Sequence, residues 1–447
     1  LICPRGGLPL SSVMSVADHA PPGRWAVLAS FSVTSAVNAF MFMNFAVDSE
    51  LSAAMFGVSE EVVADFYAIS LYAAMISLVF AANYAAQHNF SVMLAANLLN
   101  LAGAVLRVYA TEHRRLDLCN LSCALVGFSA GCFIPGLTIV GDRWFPRETR
   151  PFALSIASLA NYVGWAAGSI ITPWATSSEG DMLLLLRVQA GVTVAVLLLF
   201  LCKYRAQPGV TLQTKVQSKY TASMATKLMV RDPQLMAQMV CFSVIIGVSF
   251  AVPAVLDSVL QDLLGLGPRA VGLVNGVFIL SGVLSGCVVG GVMKDASMLA
   301  PVVRAMQGAA AAGLFLVCWL CSVVHGAQHL ATVEQDLDMK IAVVVALTVF
   351  MAFAGSALFG ILPVALLQLA ETARPIDSVY TTTALEVLVQ LTGALITQGA
   401  ASAKRYGLWV CCGAAVVQVV IFFRVYKPSK AQSTSESLLD TAETQLL

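Results

Sequence analysis

The sequence predicts an all-α polytopic membrane protein: twelve transmembrane helices in two six-helix bundles. Three observations predict it. The 447 residues are 58% hydrophobic and only 11% charged, with a mean hydropathy of +0.82; a soluble domain is nearer 45–50% apolar and about 25% charged. Apolar runs of about twenty residues, enough to cross a bilayer as helix, recur along the chain, where a β-barrel would show short alternating strands. The runs fall six and six about a polar stretch, Lys203 to Asp232.

The first six runs are 25–47, 66–86, 91–109, 118–140, 152–172 and 183–203. The second six are 235–256, 270–292, 301–324, 341–366, 378–401 and 407–426. This divides the chain into an N-terminal segment (1–23), a first bundle (24–203), a linker (204–233), a second bundle (234–426) and a tail (427–447). Residues 1–23 lack the apolar core of a signal peptide. With no initiator methionine, the natural chain is expected to begin upstream or to have lost its start.

Lysine and arginine set the orientation. With a cytoplasmic N-terminus, seventeen fall on the inner side and eight on the outer. Both termini are therefore expected in the cytoplasm, as an even span number requires, in the plasma membrane or an organelle membrane. The charged joint "GDRWFPRETRPFALS" (141–155) then lies inside, between spans four and five. "ETRP" at 148–151 is echoed by "ETARP" at 371–375, between spans ten and eleven. Equal span counts and this echo predict an internal repeat, a common transporter feature.

In the linker, Leu212, Val216, Tyr220, Met224 and Leu228 recur every four residues, with Lys215, Lys219 and Lys227 off that stripe. The pattern predicts an amphipathic helix on the inner membrane face, basic side toward anionic headgroups. The tail ends "SESLLDTAETQLL", loosely like an acidic di-leucine sorting signal.

Polar groups inside the spans are costly, so they are informative. Glu386 lies two turns into span eleven, with Gln390 at i+4, Thr383 at i−3, and Gly393 and Thr397 along the same face. This stripe faces a cavity or packs against a neighbouring helix. Asn38 and Asn44 lie in span one, Asn161 and Tyr162 in span five, and Asp257 toward the outer end of span seven. Phe42 and Phe250 can offer aromatic faces to a cation or simply pack. His325 and His329, at i and i+4, suit a metal or haem iron by spacing, although Gly326 and the polar loop beside them favour a surface role. Glycines four apart at 164 and 168, and at 272 and 276, allow close helix approach.

Some classes are excluded. The sequence has no GxxxxGK[ST] for a nucleotide phosphate, no HExxH and no GxSxG nucleophile elbow, so an enzyme is not expected. Twenty-five basic against twenty-five acidic residues suggest no nucleic-acid partner. The eleven cysteines sit mostly in apolar runs, where a thiol acts as a small hydrophobe. Cys318 and Cys321 form a CxxC in mid-span with no following histidine, so no metal or cofactor is expected. Asn89-Phe-Ser91 matches a glycosylation sequon but falls on the inner side, so it should be unused.

Twelve spans in two halves resemble the major facilitator superfamily. Several stretches look like its feline leukaemia virus subgroup C receptor-related branch of haem, choline and ethanolamine transporters. They are "RW" at 24–25, "NAF" at 38–40, "NLLNLAGAVLR" at 97–107, "WFP" at 144–146, "LPVALLQLAETARP" at 362–375, and Gln390 with Gly393. The resemblance spans Arg24 to Tyr426. It implies an alternating-access transporter of haem or a choline-like amine, whose partners are that solute and the bilayer. By this resemblance Phe42, Asn44, Asn161, Tyr162, Phe250, Asp257, Glu386 and Gln390 are the candidate substrate residues. The joint becomes a cytoplasmic gate: Asp142, Arg143, Arg147, Glu148 and Arg150 pair across the seam with Glu371 and Arg374, and Trp144 anchors at the interface. The chain departs from the branch in three places. Phe42 and Phe250 stand where choline-carrying relatives have tryptophan and tyrosine. Tyr162 stands where relatives have glutamine, and 83–91 lacks the superfamily's usual loop charges. Two rivals stand: a non-transporting receptor or sensor on the same scaffold, and an intramembrane enzyme.

Overall fold

The structure, a computed structural model, describes residues 22–146, 149–204, 222–292, 299–330, 337–374, 376 and 378–425. No strand occurs among them. The helices are α1 (Arg24–Met43), α2 (Ser49–Phe56), α3 (Glu60–Glu112), α4 (Leu116–Trp144), α5 (Arg150–Ala175), α6 (Glu179–Lys203), α7 (Ala222–Arg231), α8 (Pro233–Leu264), α9 (Pro268–Val292), α10 (Leu299–Leu330), α11 (Leu337–Leu358), α12 (Ile361–Thr372), α13 (Ser378–Ser402) and α14 (Gly407–Val425). Eleven segments of the described chain are long and apolar enough to cross a membrane. Helix α5, 26 residues long, lies between α1 and α9 and completes the twelve that the sequence predicts.

Local chemistry sets the boundaries. Helix α8 starts where Pro233 supplies a preset φ and the Asp232 carboxylate caps the amides of Gln234 (2.9 Å) and Leu235 (3.1 Å). Helix α6 starts at Ser178, whose hydroxyl accepts from the Asp181 amide, with Glu179 and Asp181 placed to favour the positive end of the helix dipole.

Three expectations are corrected. Residues 83–91 form no extended loop: spans two and three, Glu60–Ala81 and His88–Glu112, are two helices labelled together as α3, which meet at a kink where His88 leaves helical geometry at φ −122°, ψ 43°. The sequon's Asn89 is accordingly buried, its carbonyl accepting from the Tyr204 hydroxyl. Span ten is broken at Phe359 and Gly360 into α11 and α12. Arg107, one of the eight lysines and arginines that the sequence places on the outer side, is 1% exposed inside the bundle. Its guanidinium donates to the Met41 carbonyl (2.6 Å) and the Ser122 hydroxyl (3.2 Å) and lies 5.0 Å from the Phe45 ring centre.

Packing repeats between the halves. Span one lies on span five (α1 on α5) as span seven lies on span eleven (α8 on α13). Across the middle, α3 meets α13 and α5 meets α9. Glycine permits these approaches: a Cβ on Gly164 would stand 2.2 Å from the Ala36 carbonyl oxygen of α1, and one on Gly272 would stand 2.4 Å from the Ser169 oxygen of α5.

Polar contacts between the halves gather at the end opposite the termini. Ser49 bonds to Asp257, Glu50 to Gln261, and Lys404 to Glu61 at 3.2 Å. The Gln398 amide joins the Tyr72 hydroxyl (2.7 Å) and the Asp65 carboxylate (3.0 Å). Of the amphipathic linker, Leu212, Val216 and Tyr220 fall outside the described residues. Helix α7 turns Ala225, Leu228 and Met229 into the core of the second bundle, so this part packs on protein.

Candidate functional site

Helices α1, α3, α4, α5, α8 and α13 and the broken span surround a central cavity of about 150 Å³. Helical spacing places the lining. Helix α1 contributes Ser35, Asn38 and Phe42, α5 contributes Ser158, Asn161, Tyr162 and Trp165, α8 contributes Phe250, and α13 contributes Thr382, Glu386 and Gln390 at intervals of four. Leu362 and Leu366 of α12 close one wall, and Phe133, Ile134 and Leu137 of α4 another. Among the described residues the lining carries one carboxylate, Glu386, and no lysine or arginine.

Trp165 is the hub of the aromatic side. Its ring centre lies 4.8 Å from Phe250, 6.0 Å from Tyr162, 6.2 Å from Phe42 and Tyr67, and 6.4 Å from Phe359. Most pairs are edge-on, the arrangement aromatic quadrupoles favour. The polar side is partly committed and partly open. Asn38 donates to Asn100 (2.9 Å) and the Val126 carbonyl (3.0 Å), and Asn161 donates to the Ser35 hydroxyl (3.1 Å). The Gln390 carbonyl oxygen is buried without a partner. An unmet acceptor costs about 1–3 kcal/mol, so a ligand N–H or O–H there would be stabilised. The cavity thus offers an aromatic box, one carboxyl group and two unmet acceptors, Asn38 Oδ1 and Gln390 Oε1.

Six of the eight candidate substrate residues come together here: Phe42, Asn161, Tyr162, Phe250, Glu386 and Gln390. Two do not. Asn44 lies past the end of α1, fully buried, donating to the Gln189 side-chain oxygen of α6 at 2.6 Å. Asp257 sits at the far seam, accepting from Ser49. Both bond to neighbouring elements away from the cavity, which polarity and depth alone do not distinguish from cavity lining. Trp165, missed by the sequence reading, was signalled by its i+4 relation to Asn161.

The inner gate lies only partly within the described residues. Arg147 and Glu148 fall outside the described residues, as do the side chains of Asp142 and Arg150. Arg374 pairs with Glu371 on its own half (2.6 Å), and Arg143 lies near Tyr204 of its own half. Trp144 is 4% exposed in the core of the first bundle and is no interface anchor. His325 bonds to the Leu263 carbonyl through Nδ1 (3.1 Å); the His329 side chain is outside the described residues. No cluster of three or more histidine, cysteine, aspartate or glutamate side chains suited to a metal occurs among the described residues.

A family model described as Major Facilitator Superfamily matches residues 26–397. Three solved structures share the fold at low identity. A bacterial homolog of the human lysosomal transporter Spinster, inward-facing and unoccupied, is 12% identical over 91% of this chain and 99% of its own, with a TM-score of 0.65. A bacterial homologue of the iron transporter ferroportin, outward-facing, is 14% identical over 90% and 99%, with a TM-score of 0.58. A D-xylose–proton symporter is 11% identical over 91% and 98%, with a TM-score of 0.66.

Proposed function

We propose, for a chain that belongs to the major facilitator superfamily of transporters, that it carries a small organic amine of the choline or ethanolamine kind by alternating access. The observation that supports this reading is the Trp165 cage: aromatic faces of Phe42, Trp165 and Phe250 share a cavity with the carboxylate of Glu386. Aromatic faces attract a cation by about 0.5–2 kcal/mol, more when water is excluded. Tryptophan is the best of them, so Trp165 of span five supplies what the phenylalanines of spans one and seven do not.

Haem, the other substrate implied by the resemblance, is less well supported. About 150 Å³ is the volume that holds one benzene in an engineered cavity, far short of a tetrapyrrole. His325, a conceivable iron contact, is already bonded to Leu263.

In this reading Glu386 balances the ammonium, Gln390 and Asn161 orient the polar end, and both termini face the cytoplasm. The polar seam at the far end is then the closed outer gate, and the cavity belongs to an inward-facing state. Uptake of labelled choline beside labelled haem into proteoliposomes, with and without a pH gradient, tests it. Saturable choline uptake is expected. Haem uptake alone would replace the substrate, and accumulation of neither would favour a receptor on the same scaffold.

A further inference from the structure

The far seam joins the halves through acids that have too few hydrogens. Asp257 of α8, 1% exposed, accepts through Oδ2 from the Ser49 amide and lies 2.9 Å from the Ser49 hydroxyl oxygen. The same hydroxyl lies 3.1 Å from the Glu60 carboxyl of α3. A serine hydroxyl donates one hydrogen, so it satisfies one carboxylate. With that hydrogen given to Glu60, the contact with the buried Asp257 carboxyl is a hydrogen bond only if Asp257 carries a proton and donates. Three further observations point the same way. Thr176 Oγ1 lies 2.8 Å from the Thr172 carbonyl, which only accepts, and 3.1 Å from the Asp48 carboxyl. Asp48 is 4% exposed. Asp257 Oδ1 is buried with no partner.

The surrounding charges do not relieve this shortage. Glu50 of α2 bonds to Gln261 of α8. Arg269 of α9 gives its guanidinium to the Ser177 hydroxyl (2.9 Å) and the Pro173 carbonyl (3.4 Å), and Lys404 pairs with Glu61. Among the described residues no lysine or arginine forms an ion pair with Asp48, Glu60 or Asp257. Neighbouring carboxylates in a dry site do not all ionise.

We propose that the closed seam is a proton-binding site made by Asp48 of one half and Asp257 of the other, and that the seam takes up a proton on closing and releases it on opening. Opening separates Asp257 from Ser49 and returns the acids to water, where they ionise normally. Transport through this chain would thereby be linked to the pH at the far face, through groups remote from the substrate cavity.

The sign follows from linkage. Burial pushes the Asp48 carboxyl above its ordinary value, against the lowering effect of its Thr176 and Leu51 hydrogen bonds. A state that binds the extra proton is favoured by acid. Closure is therefore fully favoured below the ordinary carboxylate value of about 4 and weakens as pH rises through the higher closed-state value. Within that window, one proton changes the open-to-closed ratio by up to about tenfold per pH unit.

Hydrogen exchange of the full chain in nanodiscs tests this, reading 44–56 and 257–267 from pH 5 to 8 with labelling times scaled for intrinsic exchange. Protection should rise as pH falls. Asp257→Asn and Asp48→Asn carry amides that donate as the acid would, so each should stay protected at pH 8 with a flatter profile. A flat wild-type profile would overturn the proposal, and so would a slope that survives in the double variant. A third arm varies Na⁺ at fixed pH: protection that follows Na⁺ would give the site to a metal cation instead.

Discussion

Trp165 of α5 meets Phe250 of α8 edge to face across the boundary between the halves, with ring centres 4.8 Å apart and planes at 77°. The same indole touches Phe42 of its own half and Phe359 at the break between α11 and α12. One side chain thus reads the relative position of both bundles and lines the cavity. A rocking motion has to remake these contacts, so a ligand that prefers one arrangement of the cage shifts the balance of states by its differential affinity.

Substitution of Trp165 should therefore act on binding in a graded way. Trp165→Phe keeps an aromatic face and should raise Kd for choline about threefold. Trp165→Ala should raise it tenfold or more, in line with a cation–π contribution of about 0.5–2 kcal/mol. Equilibrium binding of labelled choline to purified protein gives the series, and equal Kd values in all three would remove the indole from the site. A neutral isostere of choline should bind all three alike.

Glu386 separates two roles in one variant. As the charge partner of a cation, its replacement in Glu386→Gln should weaken choline binding by about tenfold to a hundredfold, the scale of a charged hydrogen bond at about 1.5–3 kcal/mol. As a proton site, the same change should make uptake insensitive to an imposed pH gradient. Uptake with and without the gradient, beside equilibrium binding, distinguishes them. Unchanged pH dependence would exclude the proton role.

Helix positions were legible in the sequence because twenty-residue apolar runs leave a bilayer protein few alternatives. The tight kink at His88 that joins spans two and three was not, since a polar stretch reads like a loop when only hydropathy is followed. At the site, the four-residue spacing of Thr382, Glu386 and Gln390 on α13 carried the signal. Asn44 and Asp257 carried the same signal and lie elsewhere: a buried amide or carboxylate is equally well satisfied by a neighbouring helix, and composition does not say which helix that is. At the inner end, charge alone did not tell a local pair from one across the seam. Arg374 had an acid three residues before it on its own helix-end segment, and a local pair forms without waiting for the other half.

Asn44 tests that distinction directly. Asn44→Leu deletes the 2.6 Å bond to Gln189 and leaves a buried amide unpaired, at a cost of about 1–3 kcal/mol. Thermal unfolding should show a lower Tm, while Kd for choline in the protein that remains folded should be unchanged. A raised Kd with an unaltered Tm would return Asn44 to the binding site.

Gly272 tests the contact between halves without touching the cavity. Its missing side chain lets α9 approach α5: a Cβ there would stand 2.4 Å from the Ser169 carbonyl oxygen and 2.9 Å from Pro173 Cγ. The first of these is backbone and cannot rotate away, so the helices must separate. Overpacking of this kind costs about 1–3 kcal/mol, and here it falls on the state in which α5 and α9 are close. Gly272→Val should lower protection of 257–267 in hydrogen exchange and slow uptake, while the folds of the separate bundles persist. If α5 and α9 remain this close throughout the cycle, the variant will lose Tm with no change in the exchange pattern of the far seam.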